Sequence, residues 1–201
     1  MLSEQTQKAF IKIYVLLILN LEFWFFSLMG LIVLGIGPAL RTITEQFLTY
    51  GYDYRQYTFK KLWNFYWKIF WQANSRALPL LALMLFLFYD IYLTSQIKAA
   101  WMLPVVFLII FVLFITCMVA INVLLLDSNF EIEFKNVFKL AFIQFFSDIR
   151  ALGLCLTGLI IISALTALWP GLLLFLTFST TVVWANHSYR NWIKQIDGKI
   201  S

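Results

Sequence analysis

The stretch from Phe10 to Ile36 carries only two charged side chains, Lys12 and Glu22. At roughly 1.5 Å per residue, a helix of that length crosses a hydrocarbon core of about 30 Å even when tilted. Backbone groups in such a core must be satisfied internally, so the run is expected to be helical. Gly35-Ile36-Gly37-Pro38 closes it, and charge returns at Arg41. Pro38 fits the first turn of a new helix, with Gly35 and Gly37 permitting a change of direction.

The rest of the chain obeys the same constraint. Of 201 residues, 62% are hydrophobic and 12% charged, too few polar side chains to cover a water-soluble globule. The first run is longer than the apolar core of a signal peptide, about 7 to 15 residues, and no small-residue cleavage site follows it, so it is expected to stay in the mature protein. The expected fold is an all-α, polytopic membrane helical bundle, one domain over residues 1–201. About five transmembrane helices are placed at 10–36, 77–94, 101–126, 151–168 and 171–185. Interfacial amphipathic helices on the cytoplasmic side are placed at 38–50, 57–73 and 133–147.

Periodicity supports those surface helices. Phe59, Leu62, Tyr66, Ile69 and Ala73 form one apolar stripe, flanked by Trp63, Trp67 and Trp71, while Lys60, Lys61, Asn64, Lys68 and Gln72 collect opposite. This pattern suits an anionic cytoplasmic leaflet, and membrane lipids rather than nucleic acid are the expected partner of the basic charge. Phe134, Val137, Phe138, Ala141, Phe142 and Phe145 repeat the spacing, preceded by Asp127, Ser128 and Asn129 as a turn with N-cap candidates. Arg41 and Glu45 are an i,i+4 pair. Trp169-Pro170-Gly171 makes the last two spans antiparallel neighbours.

Lysine and arginine positions set the orientation. Arg41, Arg55, Lys60, Lys61, Lys68, Arg76, Lys135, Lys139, Arg150, Arg190, Lys194 and Lys199 fall on one side of a five-span arrangement, against Lys8, Lys12 and Lys98 on the other. The expected location is the cell membrane, multi-pass, with the N-terminus outside and the C-terminus cytoplasmic. A re-entrant first segment with a cytoplasmic N-terminus is the alternative, and accessibility of a cysteine at position 3 separates the two. Around Arg76 and Arg150, S-R-A-L-P-L-L aligns with I-R-A-L-G-L-C, which suggests a duplicated unit of amphipathic helix, arginine and membrane hairpin.

Motifs for chemistry are missing. The single histidine, His187, has no acidic or cysteine partner in sequence, and no phosphate loop, nucleophile elbow or His-Glu-x-x-His pair occurs. Cys117 and Cys155 lie in apolar runs and read as small hydrophobes. The chain is therefore expected not to be an enzyme, with no catalytic residue, metal or cofactor. The remaining candidates are polar groups inside apolar runs: Asn20, Glu22, Asp90, Asn122 and the seam Thr177, Ser179, Thr180 and Thr181. They either line a solute or proton path or hydrogen-bond between helices.

The pattern N-L-E-F-W-F-F, then G-I-G-P-A-L, then K-K-L-W-N-F-Y-W-K, and later E-I-E-F-K-N-V-F-K-L-A-F resembles the YesL family of small bacterial membrane proteins. Asn20, Trp24, Gly37, Pro38 and Ala39 match its pattern, and Gly35 departs from it where the family usually has threonine. The resemblance implies an association with carbohydrate uptake, because family members are commonly encoded beside sugar-binding proteins and permeases of ABC importers. The expected function is a non-catalytic accessory subunit packing against ABC importer permease subunits. Asn20, Glu22, Trp24, Gly37, Pro38, Arg41, Trp63, Trp67, Arg76 and Arg150 are the candidate partner-binding or structural residues. The alternative is a self-contained small-solute transporter or channel using Glu22 and the Thr/Ser seam.

Overall fold

A computed structural model describes residues 2–97, 99 and 101–200, with side chains described over 4–97, 99 and 101–196. Lys98, the Lys199 side chain and the side chain at position 3 thus lie outside the described residues. Among the described residues eight α-helices follow one another: α1 (Leu2–Met29), α2 (Ile36–Tyr50), α3 (Phe59–Ser95), α4 (Met102–Asn129), α5 (Phe134–Ser147), α6 (Ile149–Leu168), α7 (Gly171–Phe175) and α8 (Thr177–Ile200). Among the described residues there is no strand, and the chain is an all-α bundle of multi-pass membrane type. Among the described residues four helices, α1, α3, α4 and α6, are long and apolar enough to cross a membrane.

The first apolar run does not reach Ile36. It stops at Met29, and the turn is made by Leu31 and Ile32 at φ 57° and 64°. Two consecutive left-handed residues other than glycine, one of them β-branched, cost roughly 1–2 kcal/mol each. The Ile32 N–H bonds the Ser27 carbonyl at 2.8 Å, and Leu31 to Leu34 stay exposed. Pro38 lies in the first turn of α2. Gly37 contributes closeness rather than direction, because a Cβ there would sit 2.5 Å from the Ala77 Cβ on α3.

The helix expected at a membrane surface over 38–50 is the most enclosed in the bundle. Gly37, Pro38, Ala39, Arg41, Thr42, Ile43, Thr44 and Gln46 are all buried, and α2 packs against α1, α3, α4 and α8. Its central residues Ala39 and Ile43 join Val15, Leu19, Phe23 and Phe26 of α1, Leu62, Tyr66 and Phe70 of α3 and Val182 of α8 in one core. The polar Thr42 and Thr44 hydroxyls bond backward to the Pro38 and Leu40 carbonyls, so they enter this core satisfied.

The 57–73 and 77–94 segments are one helix. Nothing between Ala73 and Ala77 breaks α3, and Pro79, which removes one backbone bond, does not end it. At 37 residues α3 is about 55 Å long, nearly twice a hydrocarbon core. Leu62, Tyr66, Ile69 and Ala73 face inward as their spacing implies, while Phe59 at the stripe's start is exposed. α5 instead ends at Ser147, and Asp148 accepts from the Ala151 N–H at 3.0 Å to start α6. Arg76 therefore sits in the middle of a continuous helix and Arg150 in the first turn of a new one. The two hairpin units differ at the residues that align them.

α4 carries α5 on one side, through Val119, Val123, Leu126, Val137 and Ala141, and α8 on another, through Leu125 and Tyr189. Asp127, Ser128 and Asn129 close α4 rather than capping α5. α6 and α8 run antiparallel: Thr166 meets Thr177 at 2.8 Å, and the Trp184 indole donates to the Leu154 carbonyl at 2.9 Å. Gly158 lets them approach, since any Cβ there would enter the Trp184 ring. The segment expected as a fifth span, 171–185, is divided at Leu176 into α7 and α8, and α8 continues well past the expected end at 185, to Ile200.

Candidate functional site

Two polar constellations lie inside the bundle. The first is built on Asn20, which α1 places on the face carrying Phe23 and Leu19 and which is 0% exposed. A helix interrupted at Leu176 leaves carbonyls unpaired at the end of α7 and N–H groups unpaired at the start of α8. The Asn20 amide meets both. Its Nδ2 donates to the Leu173 carbonyl at 3.1 Å and to the Leu174 carbonyl at 2.7 Å, and its Oδ1 accepts from the Phe178 N–H at 2.8 Å and the Ser179 N–H at 3.1 Å. One turn along α1, the Trp24 indole donates to the same Leu173 carbonyl at 3.0 Å. Phe178 then stacks on Phe23, with ring centroids 4.0 Å apart. Asn20 and Trp24 thus do one job: they hold a broken helix in a single geometry.

The second constellation is ionic. Arg41 on α2 reaches Asp127 on α4 at 2.9 Å, and Arg76 on α3 pairs with the other oxygen of the same carboxylate. Arg76 also donates from Nη2 to the Ile132 carbonyl at 2.6 Å, which ties the α4–α5 link to α3. Arg41, Arg76 and Asp127 are only 8%, 6% and 5% exposed. The expected Arg41–Glu45 pair does not form within ion-pair distance; Asp127 takes its place. Burial holds the Glu45 carboxyl above its usual range, against Arg41 and Lys68, which draw it down.

Glu22 belongs to neither constellation. It is half-buried on α1, and its Oε2 is enclosed without a hydrogen-bond partner among the described residues. Tyr57, before α3, lies near enough to feel it: burial first, then the Glu22 carboxyl, push the Tyr57 phenol well above its ordinary value. The Tyr57 hydroxyl itself donates to the Gly51 carbonyl at 2.6 Å.

The other candidates scatter. Trp63 is half-buried against Phe25 and Phe59, Trp67 is exposed, and Arg150 is exposed at the start of α6. Asn122 links α4 to the Ala141 carbonyl of α5 at 3.4 Å. His187 is exposed within α8. Sequence reasoning missed Asp127 as an ion partner and the break at Leu176 altogether. The sequence signal nearest the break was the hydroxyl pair Thr177 and Ser179 behind an unbroken apolar run, although neither caps α8: the Thr177 hydroxyl meets Thr166 and the Ser179 hydroxyl donates to the Leu176 carbonyl.

The family described as "Protein of unknown function, DUF624" matches residues 16–91. The chain is similar to that family from α1 through most of α3, a stretch holding Asn20, Trp24, Arg41 and Arg76 but not the partners Leu173, Ser179 and Asp127. No curated protein and no solved structure matches the chain.

Proposed function

We propose that this chain is a non-catalytic accessory membrane subunit of a bacterial carbohydrate ABC importer, seated in the cell membrane against the permease. One observation carries the reading. Asn20, Trp24, Arg76 and Asp127 are committed to contacts within the chain, while the half of α3 before Ala77 turns Trp67, Trp71, Lys60, Lys61, Asn64, Lys68 and Gln72 outward. Trp71 is 77% exposed. An aromatic, basic face beside occupied interior groups suits a docking protein better than a solute carrier. The YesL resemblance, with its genomic neighbours, supplies the class of partner. Tagged permease purified from native membranes is expected to bring the chain with it. Its absence from the complex, together with unimpaired sugar uptake in a deletion strain, overturns the reading.

The pairing of helix ends bears on orientation. Lys12 lies over the Tyr52 ring and Tyr14 against Tyr54, so the start of α1 and the link after α2 share a side. That link leads into the lysines of α3, which the positive-inside rule assigns to the cytoplasm. We therefore favour the cytoplasmic N-terminus, and a cysteine at position 3 is expected to resist membrane-impermeant reagents added outside. Labelling from outside restores the five-span orientation.

A second reading, a small-solute transporter or channel, is favoured by the break at Leu176 and the unpartnered Glu22 oxygen. A recess lined by Ser163, Thr166 and Thr177 lies beside that break. It predicts flux by the purified protein in liposomes, abolished by Glu22→Gln. No flux over a panel of sugars and ions removes it.

A further inference from the structure

Beside the ion triad, α2, α3 and α4 enclose a crevice of about 180 Å³. Its walls are apolar, built by Leu40, Leu80, Met84, Ile121 and Leu124 among others, and its charged end is Arg41, Arg76 and Asp127. Two guanidiniums share one carboxylate there, so the buried cluster keeps one net positive charge. Glu45 and Glu131 act on Arg41 from a distance, and neither forms an ion pair with it. Arg41 Nε is enclosed and has no hydrogen-bond partner among the described residues, and the residue is 8% exposed. A buried charge without full compensation is costly, and an anion at this end relieves it. An anion carrying an apolar tail also fills the crevice.

We propose that the crevice binds an anionic phospholipid of the surrounding membrane, its phosphate against Arg41 and part of one acyl chain between α2, α3 and α4. The volume is close to the roughly 150 Å³ of an apolar cavity that takes up benzene, so it holds a segment of chain rather than the whole. The rest of the lipid lies along the exposed flanks of α3 and α4, where Leu83, Leu85 and Phe111 already face outward. The phospholipid is preferred to a free fatty acid because it is the anionic amphiphile that makes up the bilayer such flanks would face. This inference does not depend on the importer reading.

Cys117 lines the crevice and is exposed, whereas Cys155 is buried, so the native thiols report on occupancy. Purified protein in detergent is titrated with phosphatidylglycerol, phosphatidylcholine or oleate. Maleimide labelling of Cys117 is followed by peptide mass spectrometry, with Cys155 as internal control. Retained lipid is counted by native mass spectrometry. Phosphatidylglycerol is expected to slow Cys117 labelling at least tenfold and to stay bound. Arg41→Gln is expected to lose that protection and Arg41→Lys to keep most of it. Arg41→Gln leaves Arg76 and Asp127 as a balanced pair, so the variant should fold, and a second variant, Ala120→Phe, blocks the crevice without touching the charges and should reduce retained lipid. Equal protection by phosphatidylcholine, protection by oleate alone, no protection at all, or unchanged binding in Arg41→Gln overturns the proposal.

Discussion

Asn20→Leu is expected to destabilise the chain by about 3 kcal/mol and to release the start of α8 before anything else unfolds. The side chain makes four hydrogen bonds, two donated to the Leu173 and Leu174 carbonyls and two accepted from the Phe178 and Ser179 N–H groups. Leucine keeps the branched shape and the number of side-chain heavy atoms but none of the polar ones, and its bulkier methyl groups add some overpacking at this fully buried site to the loss of the hydrogen bonds. A net bond is worth about 1 kcal/mol, and a backbone group left unpaired in an apolar setting costs about 1–3 kcal/mol. Some of the freed groups regain partners by local rearrangement, which brings the sum down from its upper limit. Two measurements check this: thermal unfolding in detergent, and hydrogen exchange at the Phe178 and Ser179 amides, which should lose protection out of proportion to the rest of α8. Trp24→Phe removes one bond and is expected to cost about 1 kcal/mol. Unaltered exchange at both amides in Asn20→Leu would mean that the break is held by something other than the clamp.

The clamp also marks how far the sequence reaches. Asn20 stood out because an amide in an apolar run needs partners, but the partners could not be read. Leu173 to Leu176 contain no glycine or proline, so local propensity argues for an unbroken helix, and the break exists because α1 supplies its caps from a distant part of the chain. The same holds for α2. Its apolar positions fit an interfacial helix, and only the later arrival of α4 and α8 buries its polar side as well. By contrast, α5 was legible from its own spacing, and α6 to within two residues from its apolar run, because both depend on neighbours within one or two turns. The end of α1 failed for the opposite reason. Gly35 and Gly37 offered the cheap turn, yet Leu31 and Ile32 take the left-handed conformations, held by the Ser27 carbonyl and by the packing of Gly35 against Ser27. Local rules locate elements whose determinants are local, and here the candidate site is the part whose determinants are not.

The largest effect is expected at Asp127, a residue whose position after an apolar run suggested only a turn. Asp127→Asn keeps the shape and removes the charge, leaving Arg41 and Arg76 facing each other inside the bundle with no carboxylate between them. Breaking a buried ion pair by deleting one partner costs about 3–5 kcal/mol, because the surviving charge has no compensation; here two survive. Loss of folded protein, or a fall in the unfolding midpoint larger than that of Asn20→Leu, is the expected result. Arg41→Gln should be much milder, since Arg76 and Asp127 remain as a one-to-one pair and Arg76 keeps the Ile132 carbonyl. The double variant Arg41→Gln/Asp127→Asn separates charge repulsion from packing. If repulsion dominates, the second substitution recovers part of the loss, and the coupling between the two sites exceeds the roughly 0.5 kcal/mol seen for independent positions. Additive losses would assign Asp127 a purely local role at the end of α4. Coupling would make the triad the joint that sets α2, α3 and α4 around their shared crevice.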